Sequence, residues 1–190
     1  VDPQVFDVPE AGVRVMRQRF KLEGRRVILF GGRLNRAKGT DQLLAALYQV
    51  RQRVPDVALL VLGRPAHYVE RVQQAHPDLA EQIVYGGWLE GSELATAYRL
   101  ADVVATPSVC LEAFMVGNIE GMAAGTPPVT TCFGGPLEVV KDGETGFVVN
   151  PYDVDALADR LVRVLTDATL RQRMGEAGRR QVDADTGLAC

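Results

Sequence analysis

Residues 27–63 read VILFGGRLNRAKGTDQLLAALYQVRQRVPDVALLVLG, and this stretch determines the fold class. It opens with one apolar run of strand length, Val27–Phe30, and closes with another, Val57–Leu62. Between them Thr40 can cap a helix that has one apolar face, and Pro55 ends that segment. Strands that are apolar on successive residues are covered on both faces. The pattern therefore predicts a parallel sheet between layers of helices.

The same alternation of strands and helices continues along the chain. Further strand-length apolar runs are Ile83–Tyr85, Val103–Ala105, Val129–Thr131 and Phe147–Val149. Further helices are predicted from Ser92, from about Phe114 to Ala124, from Asp153 or Asp155, and around Leu170–Val182. We expect an α/β, Rossmann-like domain in which about six parallel strands carry helices on both faces. Such sheets bind ligands outside the carboxyl ends of their strands.

Composition and charge narrow the possible functions. The 190 residues are 47% hydrophobic, which suits one core, and 24 acidic against 21 basic residues leave a net charge of -3. No run of like charge points to a nucleic-acid partner. The three cysteines are widely spaced and odd in number, which favours reduced thiols over a disulfide framework or a metal site.

No apolar run reaches the ~18 residues of a transmembrane segment. We expect a cytoplasmic protein, or one peripheral at the membrane in its full-length form.

The ends of the chain indicate a fragment of a larger protein. Residues 1–24 are predicted to form a connector and a leading helix, since Val1–Phe6 has connector-like prolines and polarity and no initiator methionine. Residues 25–183 form the predicted ligand-binding domain. Residues 184–190 form a tail.

The loop after the first strand has the composition of a phosphate site. Its glycines at both ends, Gly31–Gly32 and Gly39, enclose the cations Arg33, Arg36 and Lys38. Glycines let the backbone approach a phosphate closely, and the cations replace its lost hydration. The loop matches neither a dinucleotide fingerprint nor a P-loop. Taken alone, it fits a solvated polar loop equally well.

Two glutamates mark the ends of a second candidate segment, residues 107–127. Glu112 precedes the predicted helix and Glu120 lies within it, so their backbones are roughly 12 Å apart along the axis at ~1.5 Å per residue. That exceeds the ~5–9.5 Å separation of a hydrolytic carboxylate pair and suits a long ligand held at two ends. Glu120 lies among small and apolar residues and should have a polar partner. The first helical amides, from Phe114 to Gly117, are free to bind a phosphate.

The chain carries a set of motifs that occurs in the same order in family 4 retaining glycosyltransferases, and it therefore resembles that family. The resemblance covers about Val27 to Val182. It rests on Gly32–Gly39, Ala101–Ser108, the spacing of Glu112 and Glu120, Ala123–Pro127, Gly134–Val140 and Asp142–Gly146. It implies the C-terminal, donor-binding half of a GT-B fold. The acceptor domain would be the missing N-terminal half.

The resemblance also implies roles for individual residues. Arg33 and Lys38, beside Gly32, would contact the donor diphosphate, with Glu112 on the transferred sugar; these three form the predicted catalytic set. Glu120 would bind the ribose. The sugar-phosphate would lie against Ala113, Phe114, Met115 and Val116, and the base against Gly63, Arg64 and Trp88. The implied ligand is a UDP-, GDP- or ADP-sugar, with no metal or other cofactor. The acceptor would be a glycan, a lipid or a small molecule.

One departure and two alternatives accompany this interpretation. Met115 stands where the family usually has a glycine that lets the sugar approach. The identity of the sugar therefore does not follow from the resemblance. A GT-B sugar-nucleotide epimerase would need acid/base groups facing the sugar, whereas His67 and His76 lie in a polar helical stretch typical of surface residues. A non-catalytic nucleotide-binding module is the second alternative. Because the acceptor site would lie in the missing half, we expect the isolated chain to bind nucleotide without appreciable transfer.

Overall fold

The computed structural model describes residues 1–32, 34–113 and 115–187, with side chains through residue 184. Within these ranges the chain forms one six-stranded parallel sheet in the order β3-β2-β1-β4-β5-β6. The strands are β1 (Arg26–Gly31), β2 (Val57–Leu62), β3 (Ile83–Gly87), β4 (Val103–Thr106), β5 (Pro128–Thr131) and β6 (Phe147–Val149). The predicted fold class is confirmed, and each predicted strand is found within two residues of its expected ends.

Helices cover both faces of the sheet. They are α1 (Glu10–Arg19), α2 (Thr40–Arg53), α3 (His67–Ala75), α4 (Gly91–Leu100), α5 (Val116–Ala123), α6 (Pro136–Val139), α7 (Val154–Thr166) and α8 (Ala168–Gly187). Short 3-10 turns occupy Pro3–Phe6, Arg36–Lys38 and Pro77–Leu79.

Several helix ends differ from the sequence prediction. Thr40 is the first residue of α2 and not its cap, because its hydroxyl donates to Asn35 O at 2.9 Å. Ser92 lies inside α4, which begins at Gly91. Asp153 does cap α7, accepting from Ala156 N at 2.9 Å. The last helix runs to Gly187, beyond the predicted Val182.

The core has two layers, one on each face of the sheet. Side chains that alternate along β1 and β2 enter different layers: Ile28 and Leu59 pack with α2 and α7, whereas Leu29 and Leu60 pack with α1, α4 and α5. This alternation explains why these strands are apolar at successive positions. The sheet is therefore fixed from both sides, and its loops project from a rigid base.

The opening residues are part of this core. Phe6 is 6% exposed, and its ring meets that of Tyr98 at a centroid distance of 6.1 Å. Val13 and Met16 of α1 enter the same layer. The connector-like composition of Val1–Phe6 did not indicate this packing, which follows from one aromatic side chain. In the described part of the chain, no helix has both the length and the apolar character needed to span a bilayer.

Candidate functional site

The candidate site lies where the strand order reverses. β1 pairs with β2 on one side and β4 on the other, so the loops after β1 and β4 leave neighbouring strands at the carboxyl edge where the order reverses. A crevice at such a switch point is the usual ligand position in open α/β sheets. The predicted residues Lys38 and Glu112 lie in these two loops.

The two loops are packed directly onto each other. Gly39 adopts a left-handed φ of 72°, and a Cβ there would overlap the carbonyl oxygen of Pro107. Val109 N donates to Ala37 O at 3.0 Å. Only glycine permits both this conformation and this close approach. The glycine that the sequence indicated as a phosphate-loop residue thus also joins the β1 loop to the β4 loop.

An ion pair connects the loops at the crevice. Lys38 Nζ lies 2.6 Å from Glu112 Oε1 and donates to it. The Lys38 side chain is 40% exposed and that of Glu112 only 12%. The Asn35 side chain accepts from Lys38 N at 3.0 Å and so fixes the turn that carries the lysine. The structure therefore places together two of the three residues predicted to be catalytic.

Glu112 is held in its ionised form. Burial on its own would raise its pKa, but the hydrogen bond from Lys38 and the charge of that lysine lower the pKa below its ordinary value. The Cys110 thiol also points at Glu112 Oε1, at 3.6 Å. The site consequently offers a carboxylate that only accepts hydrogen bonds, next to an ammonium that only donates them.

The backbone of Glu112 is supported by the loop after β5. Glu112 N donates to Phe133 O at 3.2 Å, and Gly135 N donates to Glu112 O at 2.7 Å. A Cβ on Gly134, whose φ is 89°, would overlap Glu112 O. Three adjacent strand-end loops therefore determine where this carboxylate lies.

The helix after Glu112 begins at Val116, two residues later than predicted from the sequence. Ala113 and Val116 are exposed at this edge, while Met115 is 8% exposed. The Met115 sulfur lies 3.7 Å from Thr130 Oγ1 in β5. The methionine side chain therefore points into the protein, contrary to the expectation that it occupies the space left open by a glycine.

Glu120 has the partner that the sequence required. The Tyr98 hydroxyl of α4 hydrogen-bonds Glu120. Burial, followed by the glutamate charge and this hydrogen bond, raises the pKa of Tyr98. The same hydroxyl lies close to Gly31 and Gly117, where an added Cβ would be 3.2 Å from it. Sequence analysis missed this role because Tyr98 also fits the apolar stripe of α4.

A second group of predicted residues lies at the ends of β2 and β3. The Arg64 guanidinium carbon is 5.5 Å from the centre of the Trp88 ring, and Trp88 Nε1 donates to Glu90 at 2.7 Å. The Tyr85 hydroxyl donates to Gly63 O at 2.9 Å. Gly63, Arg64 and Tyr85 border a small pocket that also includes Gly32, and Trp88 lies outside its lining. Arg64 and Trp88 remain largely exposed.

Some predictions concern residues that the structure does not describe. Arg33 and Phe114 lie outside the described ranges, so their predicted contacts remain sequence predictions. Among the residues that are described, no three His, Cys, Asp or Glu side chains come together as a potential metal site. His67, the first residue of α3, packs on Tyr68, and His76, the residue after that helix, packs on Tyr48.

Comparison with known proteins identifies the family. The model for glycosyl transferases group 1 matches residues 14–181. The chain belongs to this family. It is 37% identical over 179 residues to a GDP-mannose-dependent alpha-(1-6)-phosphatidylinositol monomannoside mannosyltransferase of Mycolicibacterium smegmatis, covering 90% of this chain and 46% of that protein. The chain thus spans about half the length of the curated relatives it matches.

Solved structures of group 1 glycosyl transferases and related proteins share the fold. The C-terminal domain of LpcC from Francisella tularensis superposes with a TM-score of 0.84 at 27% identity, over 98% of both chains. Anabaena HepE in complex with UDP matches all of this chain and 56% of its own, with a TM-score of 0.86 at 21% identity. The resemblance to the C-terminal domain of a GT-B glycosyltransferase is thereby confirmed.

Proposed function

We propose that this chain is the donor-binding domain of a retaining glycosyltransferase that moves a hexose from a nucleoside diphosphate sugar to an acceptor. The observation that carries the proposal is the Lys38–Glu112 pair at the switch point, beside the first turn of α5. Family membership supports it. The mannosyltransferase named for GDP-mannose and HepE in complex with UDP make GDP- and UDP-sugars the first donors to test.

Lys38 can serve the diphosphate without releasing Glu112. An ammonium has three protons, and the bond to Glu112 uses one of them. The other protons are available on the exposed part of the side chain. Breaking the bond between sugar and phosphate develops negative charge on the diphosphate, which a fixed cation stabilises as it forms. Arg33, in the same loop, supplies the second predicted cation.

Glu112 would orient the transferred sugar. Its carboxylate accepts hydrogen bonds from sugar hydroxyls, and its lowered pKa keeps it in the accepting form. The Lys38–Glu112 separation of 2.6 Å puts the sugar-binding group directly beside the phosphate-binding group. This is the arrangement required by a ligand in which sugar and diphosphate are covalently joined.

The other residues predicted to bind the donor would contact its nucleoside. Glu120, oriented by Tyr98, would accept from the ribose hydroxyls. The base would lie against Gly63, Arg64 and Trp88 at the ends of β2 and β3. The acceptor, a glycan, a lipid or a small molecule, would be bound by the other half of the full-length protein. No step assigned to these residues uses a metal ion or a further cofactor.

Calorimetric titration of the 190-residue chain with UDP, GDP and ADP, then with their sugars, tests this function. We expect one base to be preferred and the isolated chain to bind without transferring sugar. Arg33→Ala should weaken diphosphate binding by roughly 1.5 to 3 kcal/mol, the range for hydrogen bonds to charged groups. Wild-type affinity in Arg33→Ala and Lys38→Ala alike contradicts the site. Robust transfer by this chain alone contradicts the division of labour between halves.

A further inference from the structure

A buried polar cluster lies directly beneath the first turn of α5. It consists of Thr106 at the end of β4, Asn118 in α5 and Thr130 in β5. Thr106 Oγ1 lies 2.8 Å from Asn118 Oδ1 and 2.8 Å from Thr130 Oγ1, and Asn118 Nδ2 donates to Thr130 Oγ1 at 2.9 Å. Asn118 and Thr130 have no exposed surface, and Thr106 is 6% exposed.

The three side chains can close a complete hydrogen-bonded circuit. Each threonine hydroxyl has one proton. If Asn118 donates to Thr130, Thr130 to Thr106 and Thr106 to Asn118, every short contact is used and each hydroxyl proton is used once. Buried polar groups that are mutually satisfied hold one geometry, because breaking any bond leaves a polar atom unpaired away from water. The cluster therefore links α5 to both strands in a single arrangement.

Met115 connects the same cluster to the residue that precedes α5. Its sulfur contacts Thr130 Oγ1 at 3.7 Å, and its side chain is buried under the turn. Asn118 N donates to Met115 O at 3.0 Å. Both the side chain and the backbone of Met115 thus contact the cluster. The amides of Val116 and Gly117 lie in the chain between Met115 and Asn118.

Helix α5 needs such support. It is eight residues long and contains Gly117 and Gly121, which are poor helix formers, so it has little stability of its own. Gly121 is required by packing, since a Cβ there would be 2.8 Å from Val104 Cγ2. At the amino end of the helix the packing is looser, since a Cβ on Gly117 would be 3.2 Å from the Tyr98 hydroxyl. Asn118 supplies the anchor.

Building on the proposed function, we infer that Thr106, Asn118 and Thr130 are positioning residues that hold the first turn of α5 as the surface for the donor's sugar-phosphate. They do not touch the ligand. They fix the free amides of Val116 and Gly117 relative to Glu112, which is anchored independently by the loop after β5. Loss of the cluster should therefore weaken contacts to phosphate and leave those to the nucleoside unchanged.

Three threonine substitutions test this inference. Thr130→Val keeps the shape of the side chain and removes the hydroxyl, whereas Thr130→Ser keeps the hydroxyl. Thr126→Val is the matched control, because Thr126 is 2% exposed and its hydroxyl donates to Tyr98 O at 2.8 Å, at the opposite end of α5. Titrations compare the preferred nucleoside diphosphate with the corresponding nucleoside for each variant, alongside the midpoint of urea unfolding.

We expect Thr130→Val to lower diphosphate affinity about fivefold or more and to leave nucleoside affinity unchanged, since one net hydrogen bond corresponds to about that factor. Thr130→Ser should stay within about twofold of wild type, and Thr126→Val should retain the wild-type ratio of the two affinities even if its stability falls. Thr106→Val breaks the same cluster from β4 and replaces Thr130→Val if that variant does not fold.

Equal losses of diphosphate and nucleoside binding in Thr130→Val overturn the inference, as does an equal change of the ratio in Thr126→Val. Wild-type diphosphate affinity in a folded Thr130→Val also overturns it while leaving the proposed function intact. A wild-type chain that binds none of the three diphosphates overturns the proposed function, and this inference with it.

Discussion

The two parts of the carboxyl edge are built differently. Around β1 and β4, which we call the phosphate side, the loops after β1, β4 and β5 touch through glycines and backbone hydrogen bonds and carry the Lys38–Glu112 pair. Around β2 and β3, the base side, the main side-chain contact is Arg64 over an exposed Trp88. The backbone is held by close contacts in both parts, but the Glu112 side chain is only 12% exposed, whereas the side chains of Arg64 and Trp88 lie largely at the surface.

The difference matches the two kinds of chemical group in the proposed donor. Every nucleoside diphosphate sugar presents the same diphosphate, so a rigid, preassembled phosphate side serves the reaction whatever the base. Bases differ, and exposed side chains can change without disturbing a core. We expect substitutions on the phosphate side to alter binding strongly, and those on the base side to alter selectivity with smaller changes in affinity.

The largest effect is expected for Lys38→Ala. Removing a cation that contacts the diphosphate should lower affinity roughly 10- to 100-fold, as for the loss of a charge-assisted hydrogen bond. The matched control is Arg36→Ala in the same loop. The Arg36 side chain is 91% exposed, and its ion pair with Asp41 is long, at 3.9 Å. Equal losses in both variants, measured by calorimetry, indicate a general effect of loop charge and contradict a specific role for Lys38.

Tyr98→Phe should have an intermediate effect. The variant keeps the ring contact with Phe6 and leaves Glu120 without its partner, so the carboxylate should lose its orientation. We expect about fivefold weaker binding of the ribonucleotide and a reduced preference over the 2′-deoxyribonucleotide. Tyr48→Phe, whose ring packs on His76 in another layer, is the control. An unchanged preference for ribose contradicts the role of Tyr98 in orienting Glu120 towards the ribose.

The ion pair itself predicts how stability depends on pH. The pKa of Glu112 is lowered in the folded protein, so its contribution should be complete above the ordinary value of 4.5 and lost as the pH falls through the lowered pKa. Because Lys38 is 40% exposed, that contribution should be about 1 kcal/mol or less. Urea unfolding of wild type and Glu112→Gln across this range measures it. A difference that grows on acidification contradicts the preassembled pair.

Sequence patterns sufficed for the sheet because its strands are buried on both faces. Runs such as Val57–Leu62 have few alternatives to a central strand, and the short run Val129–Thr131 predicted β5 to within one residue. Helix ends were less predictable. Gly39 lies at the cap position of α2 and Gly91 is the first residue of α4, whereas Thr40 and Ser92 were expected to act as caps, because tertiary contacts and not local capping determine those turns.

The sequence predicted which residues form the site better than it predicted the contacts between them. Lys38 and Glu112 were both identified, yet their direct pairing depends on loops 74 residues apart meeting at the switch point. Tyr98 and Thr130 were missed as polar contributors because each also fits an apolar helix face or a strand. A hydroxyl within an otherwise apolar run, as in β4 and β5, was the available signal for the cluster around Asn118.

The smallest effect is expected on the base side, for Arg64→Ala. An exposed cation–π contact contributes ~0.5–1 kcal/mol, so loss of the Arg64–Trp88 contact should change nucleotide affinity by only about two- to fivefold. Trp88 is the one tryptophan in the sequence and is 54% exposed, so its fluorescence reports directly on this side. Ligand should alter the emission in wild type and in the control Arg71→Ala, where the guanidinium lies 6.0 Å from the Tyr68 ring. If Arg64→Ala lowers nucleotide affinity as much as Lys38→Ala does, the base side contributes as much to binding as the phosphate side. That result contradicts the expected difference between the two sides.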